Sequence, residues 1–522
     1  MNTNQAPYHI LWVDDEIEFL KPHILFLEAK GYDVTPVISG TDAVEMLRET
    51  PDRWDLALLD ENMPGLTGIE TLDRFRLINP QLPVVMITKS EEENLMDQAV
   101  GNQIKDYLIK PVNPNQILLT LKKLLHAPRL ATEQASANYR REFMEIEQQM
   151  SVADTFDNWS ALYRRMAIRF IEFSQTAPDI EQLLKTQYRD AQAAFFKFVK
   201  NNYTGWLQAP HTAPVMSHQV LDHAVKPLLA DGRKAALLVL DNFRLDQWLS
   251  IKNIFTEHFD IENESLACAI LPTATQYARN ALFSGLLPAQ IEKRFPELWI
   301  DEDDERGKNL NEEPLVQHWI DRNCSPGTTL SFHKANNSAQ LNRILRDIDS
   351  STAHLVVVVV NVIDIISHAK TDSRMVRELA STDAAYRSLT LTWARHSPLA
   401  ELLRKMALSG RTCVFTTDHG SIRVDKAIKV KGERETNTAL RYKLGRNLAY
   451  PAKEVYEILR PAQAGLPAPN ISTAYIFAGE NDFFAYPNNY NYYVKYYTDT
   501  YQHGGVSFEE MILPLVTLTP KA

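Results

Sequence analysis

Asp241, Thr275, Asp364, His368, Asp418, His419 and His503 recur through the C-terminal part of this 522-residue chain, each at or near the end of an apolar run or in a turn. Carboxylate oxygen and imidazole nitrogen serve zinc well, and three protein ligands per ion leave a coordination position open for substrate. Six such ligands and one hydroxyl make the inventory of a two-metal phosphoester hydrolase. A threonine hydroxyl is a poor nucleophile at neutral pH, but coordination to a divalent cation lowers its pKa without a separate base. A second cation, roughly 3.5–4 Å from the first in such centres, neutralises the leaving oxygen, so in-line displacement at phosphorus is held from both sides. A covalent phosphothreonine, later hydrolysed, is the intermediate this chemistry implies.

The elements that must position these residues are strands. Ala235-Ala236-Leu237-Leu238-Val239-Leu240 is unbroken apolar sequence ending in Asp241, and residues 355–360 lead through Asn361-Val362-Ile363 into Asp364. Thr412-Cys413-Val414-Phe415 leads through Thr416-Thr417 into Asp418-His419-Gly420. Continuous apolar runs, as opposed to alternating ones, predict strands of a parallel sheet covered on both faces. The carboxylates then lie at C-terminal strand ends, where open α/β sheets bind ligands. Asp364-x-x-x-His368 fits one turn of helix, which points both side chains at a common centre. Alone, each piece has a bland reading as a helix cap, a solvated pair or a turn; together they are hard to assign to structure alone.

A second constellation occupies the N-terminal third. Ile10-Leu11-Trp12-Val13 runs into Asp14-Asp15-Glu16, Leu56-Ala57-Leu58-Leu59 into Asp60-Glu61-Asn62, Val84-Val85-Met86-Ile87 into Thr88, and Asp106-Tyr107-Leu108-Ile109 into Lys110-Pro111. Amphipathic stretches such as 17–30 and 41–49 lie between, and Asp33-Val34-Thr35-Pro36-Val37 supplies a fifth strand, so the pattern is alternating βα with a parallel sheet. Three carboxylates at adjoining strand ends repel one another unless a hard, oxygen-seeking cation such as Mg²⁺ sits among them, and a lysine opposite adds a compact positive charge.

On these motifs, residues 8 to about 126 resemble a flavodoxin-like response-regulator receiver domain. The resemblance implies Asp60 as phosphoacceptor, Asp14, Asp15 and Asp60 with the Asn62 carbonyl as the Mg²⁺ site, Thr88 and Lys110 as phosphoryl contacts, and Tyr107 as the switch residue, for which simple packing is the alternative. Residues from about 206 to 522 resemble the PglZ branch of the α/β alkaline phosphatase superfamily. Val239-Leu240-Asp241-Asn242-Phe243-Arg244, Leu271-Pro272-Thr273-Ala274-Thr275 with Arg279-Asn280-Ala281-Leu282-Phe283-Ser284-Gly285, Asp364-x-x-x-His368, Thr417-Asp418-His419-Gly420 and His503-Gly504-Gly505 match its motifs in order. That resemblance implies two Zn²⁺, one among Asp241, Thr275, Asp418 and His419 and the other held by Asp364, His368 and His503, with Thr275 as nucleophile. Thr273 is the competing nucleophile, its bland role being a hydroxyl that caps the turn. Arg244 and Arg279 are candidates to hold a phosphate oxygen, with a surface salt bridge as the alternative for either.

Residues 127–205 join receiver (1–126) to hydrolase (206–522). Pro128 marks the expected break, after which Tyr139, Phe143, Ile146 and Met150, then Trp159, Leu162, Tyr163, Met166 and Phe170, recur at helical spacing. Asp179 can cap a third helix carrying Ile180, Leu183, Leu184, Tyr188, Ala191, Phe195 and Phe198, so a small helical bundle is expected. No helix-turn-helix with a basic second helix is present, which disfavours DNA-binding output. The run Tyr486, Tyr490, Tyr492, Tyr493, Tyr496, Tyr497 and Tyr501 before His503 predicts a strand pair, or else a stacking platform for bases.

A net charge of -11 argues against a generic duplex-DNA or anionic-membrane binder. The three cysteines, Cys268, Cys324 and Cys413, form no metal or redox motif, and the acidic 301–305 run is expected to be a solvated loop. Without a signal peptide or an apolar run long enough to span a bilayer, the expected location is cytoplasmic. The whole arrangement resembles PorX-type response regulators of Bacteroidetes, which implies a sensor histidine kinase as phosphodonor, a phosphodiesterase acting on nucleotide or oligonucleotide signals, and a link to type IX secretion. A phosphorylation- or zinc-promoted homodimer is expected. The competing readings are a non-catalytic scaffold gripping a sigma factor or secretion component, and a phosphomonoesterase.

Overall fold

The computed structural model describes residues 8–88, 104–173, 178–209, 211, 213–300, 309–433 and 437–521. The acidic 301–305 run lies outside them. The chain divides into two compact units, residues 1–141 and 142–522.

In the first unit, strands β1 (Tyr8–Val13), β2 (Tyr32–Val37), β3 (Leu56–Asp60), β4 (Val84–Thr88) and β5 (Asp106–Ile109) form one parallel sheet in the order β2-β1-β3-β4-β5. Successive side chains alternate between two buried layers, Leu11, Val13, Ala57, Leu59 and Met86 on one face and Ile10, Trp12, Leu58, Val85 and Ile87 on the other. This double burial is why the strands read as continuous apolar runs. Helix Pro114–Leu121 is followed by a π turn at Lys122–His126 and by helix Ala127–Val152, so the expected break at Pro128 does not occur.

The second unit is built on a six-stranded mixed sheet. Strands β6 (Ala235–Leu240), β9 (Leu355–Val360) and β10 (Thr412–Thr416) run parallel with β8 (Leu330–Ala335), in the order β10-β6-β9-β8. Every residue of β6, β9 and β10 is buried. The sheet continues past β10 through β11 (Ile512–Pro520) and β7 (Phe259–Cys268), each pairing antiparallel with the strand before it. Cys268 and Cys413 are buried thiols, and burial pushes the Cys413 thiol up to about 12. Among the described residues, no helix is long and apolar enough to cross a membrane.

Helices Phe156–Phe173 and Pro178–Gln208 carry the predicted aromatic stripes, and those stripes close around a residue of the hydrolase domain. The Phe508 ring, fully buried, lies 5.1 Å from Tyr163, 4.5 Å from Phe195, 5.8 Å from Tyr188 and 6.1 Å from Trp159 between centroids. Next to it, the Glu509 carboxylate accepts from the Tyr188 hydroxyl at 2.7 Å and from Gln192 Nε2 at 2.6 Å. Burial pushes the Glu509 carboxyl up from 4.5 to about 7, only partly opposed by Arg244. A carboxyl whose pKa is raised on folding favours the native state most when protonated, so its contribution falls as pH rises from 4.5 to about 7. Stability is therefore expected to drop by ~2–3 kcal/mol across that window, and Glu509→Gln to remove this component. Urea unfolding of both proteins between about pH 5 and pH 8 measures it; parallel pH profiles would refute the assignment.

The tyrosine-rich segment is a helix, Tyr490–Tyr497, followed by the short strand Tyr501–Gln502, and not a strand pair. Rings four residues apart stack along it, Tyr492 on Tyr496 at 6.0 Å and Tyr493 on Tyr497 at 6.2 Å. The spacing alternates and also repeats every four residues, and the i,i+4 contacts prevailed.

Candidate active site

Each predicted ligand lies where its element ends. Asp241 follows β6, its N–H donating to the Val360 carbonyl at 3.0 Å, and Asp418 and His419 follow β10. Asp364 stands in the first turn of helix Val362–Asp372, with His368 one turn on and His368 Nε2 3.3 Å from Asp364 Oδ1. His503 follows strand Tyr501–Gln502, and Thr275 opens helix Thr275–Ser284.

The fold gathers these residues into two sets of three. Asp241, Asp418 and His419 each place one ligand atom within 4.8 Å of the others, as do Asp364, His368 and His503. The sets adjoin: the His419 and His503 rings stack at 4.3 Å, and His503 lies 5.7 Å from His368. The first set is buried, whereas the His368 side chain is 56% exposed, which opens the second set to solvent. Asn242 joins the sets, since its side-chain amide donates to Asp364 Oδ1 at 3.0 Å and its backbone N–H to Asp418 Oδ1 at 3.4 Å. Its left-handed backbone, φ 57°, is a conformation asparagine tolerates better than most residues. Sequence reasoning passed over Asn242 as part of a motif string.

Three features fit these residues to cations. Asp241 Oδ1 is buried with no hydrogen-bond partner, an acceptor left facing the cluster. His419 Nδ1 is 3.1 Å from the Gly420 carbonyl and His503 Nδ1 is 3.2 Å from the Thr273 carbonyl. Donation from Nδ1–H to a carbonyl makes Nε2 the unprotonated nitrogen of each ring, the tautomer that metal-ligating histidines use. Burial keeps His503 neutral, its pKa pushed down to about 3, and Asp418 is held ionised at about 2 by His419 and Arg279 against the cost of burial.

The two threonines are employed differently. Thr275 Oγ1 is 3.0 Å from His419 Nε2. Thr273 is fully buried, its hydroxyl donating to the Gly505 carbonyl at 2.8 Å and accepting from Gly504 N–H at 3.0 Å.

Neither arginine is a surface ion pair. Arg279, 1% exposed, meets Asp241, Asp418 at 3.0 Å, Glu312 at 3.2 Å and Asn361 at 3.0 Å. Arg244, 2% exposed, is bound to Asp246 through Nε at 2.9 Å and Nη2 at 2.5 Å, and to Asp383 at 2.7 Å. A buried guanidinium must be paired, and both are committed to carboxylates and not left free for phosphate.

In the receiver unit, Asp14, Asp15 and Asp60 form a third acidic set. Lys110 Nζ lies 2.8 Å from Asp14 Oδ2 and 3.0 Å from Asp60 Oδ1. Burial raises the Asp60 carboxyl against the opposing Lys110 bond. Asn62 is exposed in the following turn, Thr88 ends β4, and Tyr107 is 46% exposed on β5. Gly68 is required here, because a Cβ would come within 2.5 Å of the Asp60 carbonyl.

A CheY-like receiver, a helical linker and an α/β domain with a mixed sheet, in that order, define a response regulator with an enzyme-like output domain. The chain belongs to the PglZ family: the BREX system PglZ alkaline phosphatase-like domain matches residues 220–518, the response regulator receiver domain matches 10–122, and the PorX response regulator linker domain matches 129–207. Together the three match a PorX-type response regulator. Among curated proteins, the chain is similar to transcriptional regulatory protein ZraR of Klebsiella oxytoca, 35% identical over 122 residues, and to the uncharacterized transcriptional regulatory protein YkoG of Bacillus subtilis (strain 168), 34% identical over 127 residues. These matches cover 23% and 24% of this chain and span 27% and 54% of the relatives. Chemotaxis protein CheY4 of Vibrio cholerae, a solved structure, is 28% identical with a TM-score of 0.22, covering 23% of this chain and 100% of that one. The receiver domain implies a phosphodonor such as a histidine kinase, and receiver domains bind Mg²⁺.

Proposed function

We propose that this protein is a phosphorylation-controlled, zinc-dependent phosphodiesterase acting on nucleotide or oligonucleotide signals. The observation that carries the reading is the Thr275 hydroxyl beside His419 Nε2, at the junction of two adjoining ligand triads. Asp241, Asp418 and His419 would hold one Zn²⁺, with Thr275 beside it, and Asp364, His368 and His503 the other. When bound, the pair would supply Lewis-acid stabilisation of charge on the attacking and leaving oxygens. Thr275 is the nucleophile; Thr273 supports the Gly504-Gly505 turn. Arg279 braces Asp241 and Asp418 from behind, and Asn242 keeps the triads in register. Asp60 accepts the phosphoryl group with Mg²⁺ at Asp14 and Asp15, and Lys110 neutralises it. Phosphorylation or zinc favours a homodimer, and the resemblance to PorX-type response regulators implies a role in control of type IX secretion.

Chelator-treated full-length protein, assayed on a panel of mono-, di- and cyclic oligonucleotide phosphates, is expected to cleave diesters when Zn²⁺ is restored. Hydrolysis of no panel member with Zn²⁺ present would sink the proposal. Faster release from monoesters than from diesters would reassign it as a phosphomonoesterase.

A further inference from the structure

We infer that the linker helices position His503 through a clamp on Phe508 and Glu509, an inference that rests on the cation-binding reading of the Asp364, His368 and His503 set. Trp159 and Tyr163 are one turn apart on one linker helix, and Tyr188, Gln192 and Phe195 share one face of the next. All five converge on residues 508 and 509. Gln192 contacts both, its Oε1 accepting from Phe508 N–H at 3.1 Å while its Nε2 donates to Glu509.

The segment between this clamp and His503 is held at successive points. Gly504 N–H and the Gly505 carbonyl are tied to the Thr273 hydroxyl, Gly505 N–H donates to Glu510 at 2.8 Å, and Val506 N–H donates to the Ala478 carbonyl at 2.9 Å. Glu510 is itself fixed by a fully buried ion pair with Arg441, 2.6 Å. Position 504, at φ +119°, admits only glycine without strain, and a Cβ there would meet the Tyr442 ring at 2.4 Å. A shift of the linker helices is thus passed along a braced segment to the imidazole.

The opposite end of the clamp reaches the helix that leaves the receiver. Gln187, the neighbour of Tyr188, donates to the Phe143 carbonyl at 3.0 Å and to Glu147 at 2.8 Å, both in helix Ala127–Val152. One turn of the linker helix therefore grips that helix on one side and Phe508-Glu509 on the other. A cavity of about 640 Å³ lies beside the clamp, bordered by Tyr163, Tyr188, Arg244, Asp383, Arg423 and Glu509.

Groups that orient a metal ligand without touching the metal typically set affinity by ~10–100-fold. Co²⁺ titration of the full chain, with Mg²⁺ in excess to fill the receiver site, tests the clamp through the cobalt absorption bands. Wild type should bind at both triads, and His503→Ala should remove one set of bands. Tyr188→Phe with Gln192→Leu, and separately Phe508→Leu, should weaken that same set by ~10–100-fold and leave the other unchanged. Wild-type affinity at both triads in both variants would overturn the clamp alone. Wild type binding no Co²⁺ at the His503 set would overturn the cation-binding reading and the clamp with it. Joint loss of both sets and of helical dichroism in the polar double variant would assign the contacts to folding and overturn the positioning role.

Discussion

Thr275→Val is expected to cut turnover of a phosphodiester reporter by at least about 10³-fold while cation content stays near wild type. Valine is nearly isosteric and removes only the hydroxyl, which lies 3.0 Å from His419 Nε2 and opens the buried helix Thr275–Ser284. Thr273→Val should behave differently, because that hydroxyl holds the backbone at Gly504 and Gly505. Its expected cost is stability, roughly 1–3 kcal/mol for a buried N–H and carbonyl left unpaired. Steady-state kinetics with metal analysis and thermal unfolding separates the two. Full activity in Thr275→Val with none in a folded Thr273→Val would exchange the assignments, and activity in both would remove the covalent mechanism.

Beryllofluoride or acetyl phosphate with Mg²⁺ is expected to move the protein from monomer toward dimer, about doubling its scattering mass, and Asp60→Ala to abolish the response. Asp60 is 1% exposed and already contacts Lys110 at 3.0 Å, so a phosphoryl group there must recruit the lysine and the cation among Asp14, Asp15 and Asp60. The connecting segments are the helices Ala127–Val152, Phe156–Phe173 and Pro178–Gln208, and helices would carry a rearrangement that a Gly/Ser tether would dissipate. An unchanged mass with and without beryllofluoride, up to tens of micromolar protein, would exclude the dimer switch and leave an intramolecular one.

What the sequence made legible were strand ends. Unbroken apolar runs in β6, β9 and β10 reflect burial on both faces, and the residue after each run is where a parallel sheet delivers its polar groups. Strand β7, Phe259–Cys268, was hidden because polar and acidic residues interrupt it, and its pairing partner lies some 250 residues away. The tyrosine helix was misread because aromatics at mixed spacing satisfy two periodicities, and only packing selects between them. Arg279 and Arg244 were read as phosphate-holding candidates with a surface ion pair as the alternative; their burial was not legible because their partners Asp418 and Asp383 are 139 residues distant in each case. The linker's amphipathic faces were legible, but not that they close on Phe508, a residue with no unusual local sequence.

Bound zinc per chain, measured on dialysed full-length protein with Mg²⁺ in excess, tests the central claim most directly. The two adjoining triads predict about two Zn²⁺ in wild type and about one in each of His503→Ala and Asp418→Ala, with the dichroism of a folded chain retained. Wild-type protein holding no zinc at micromolar free ion, or both variants still holding two, would contradict the two-metal site.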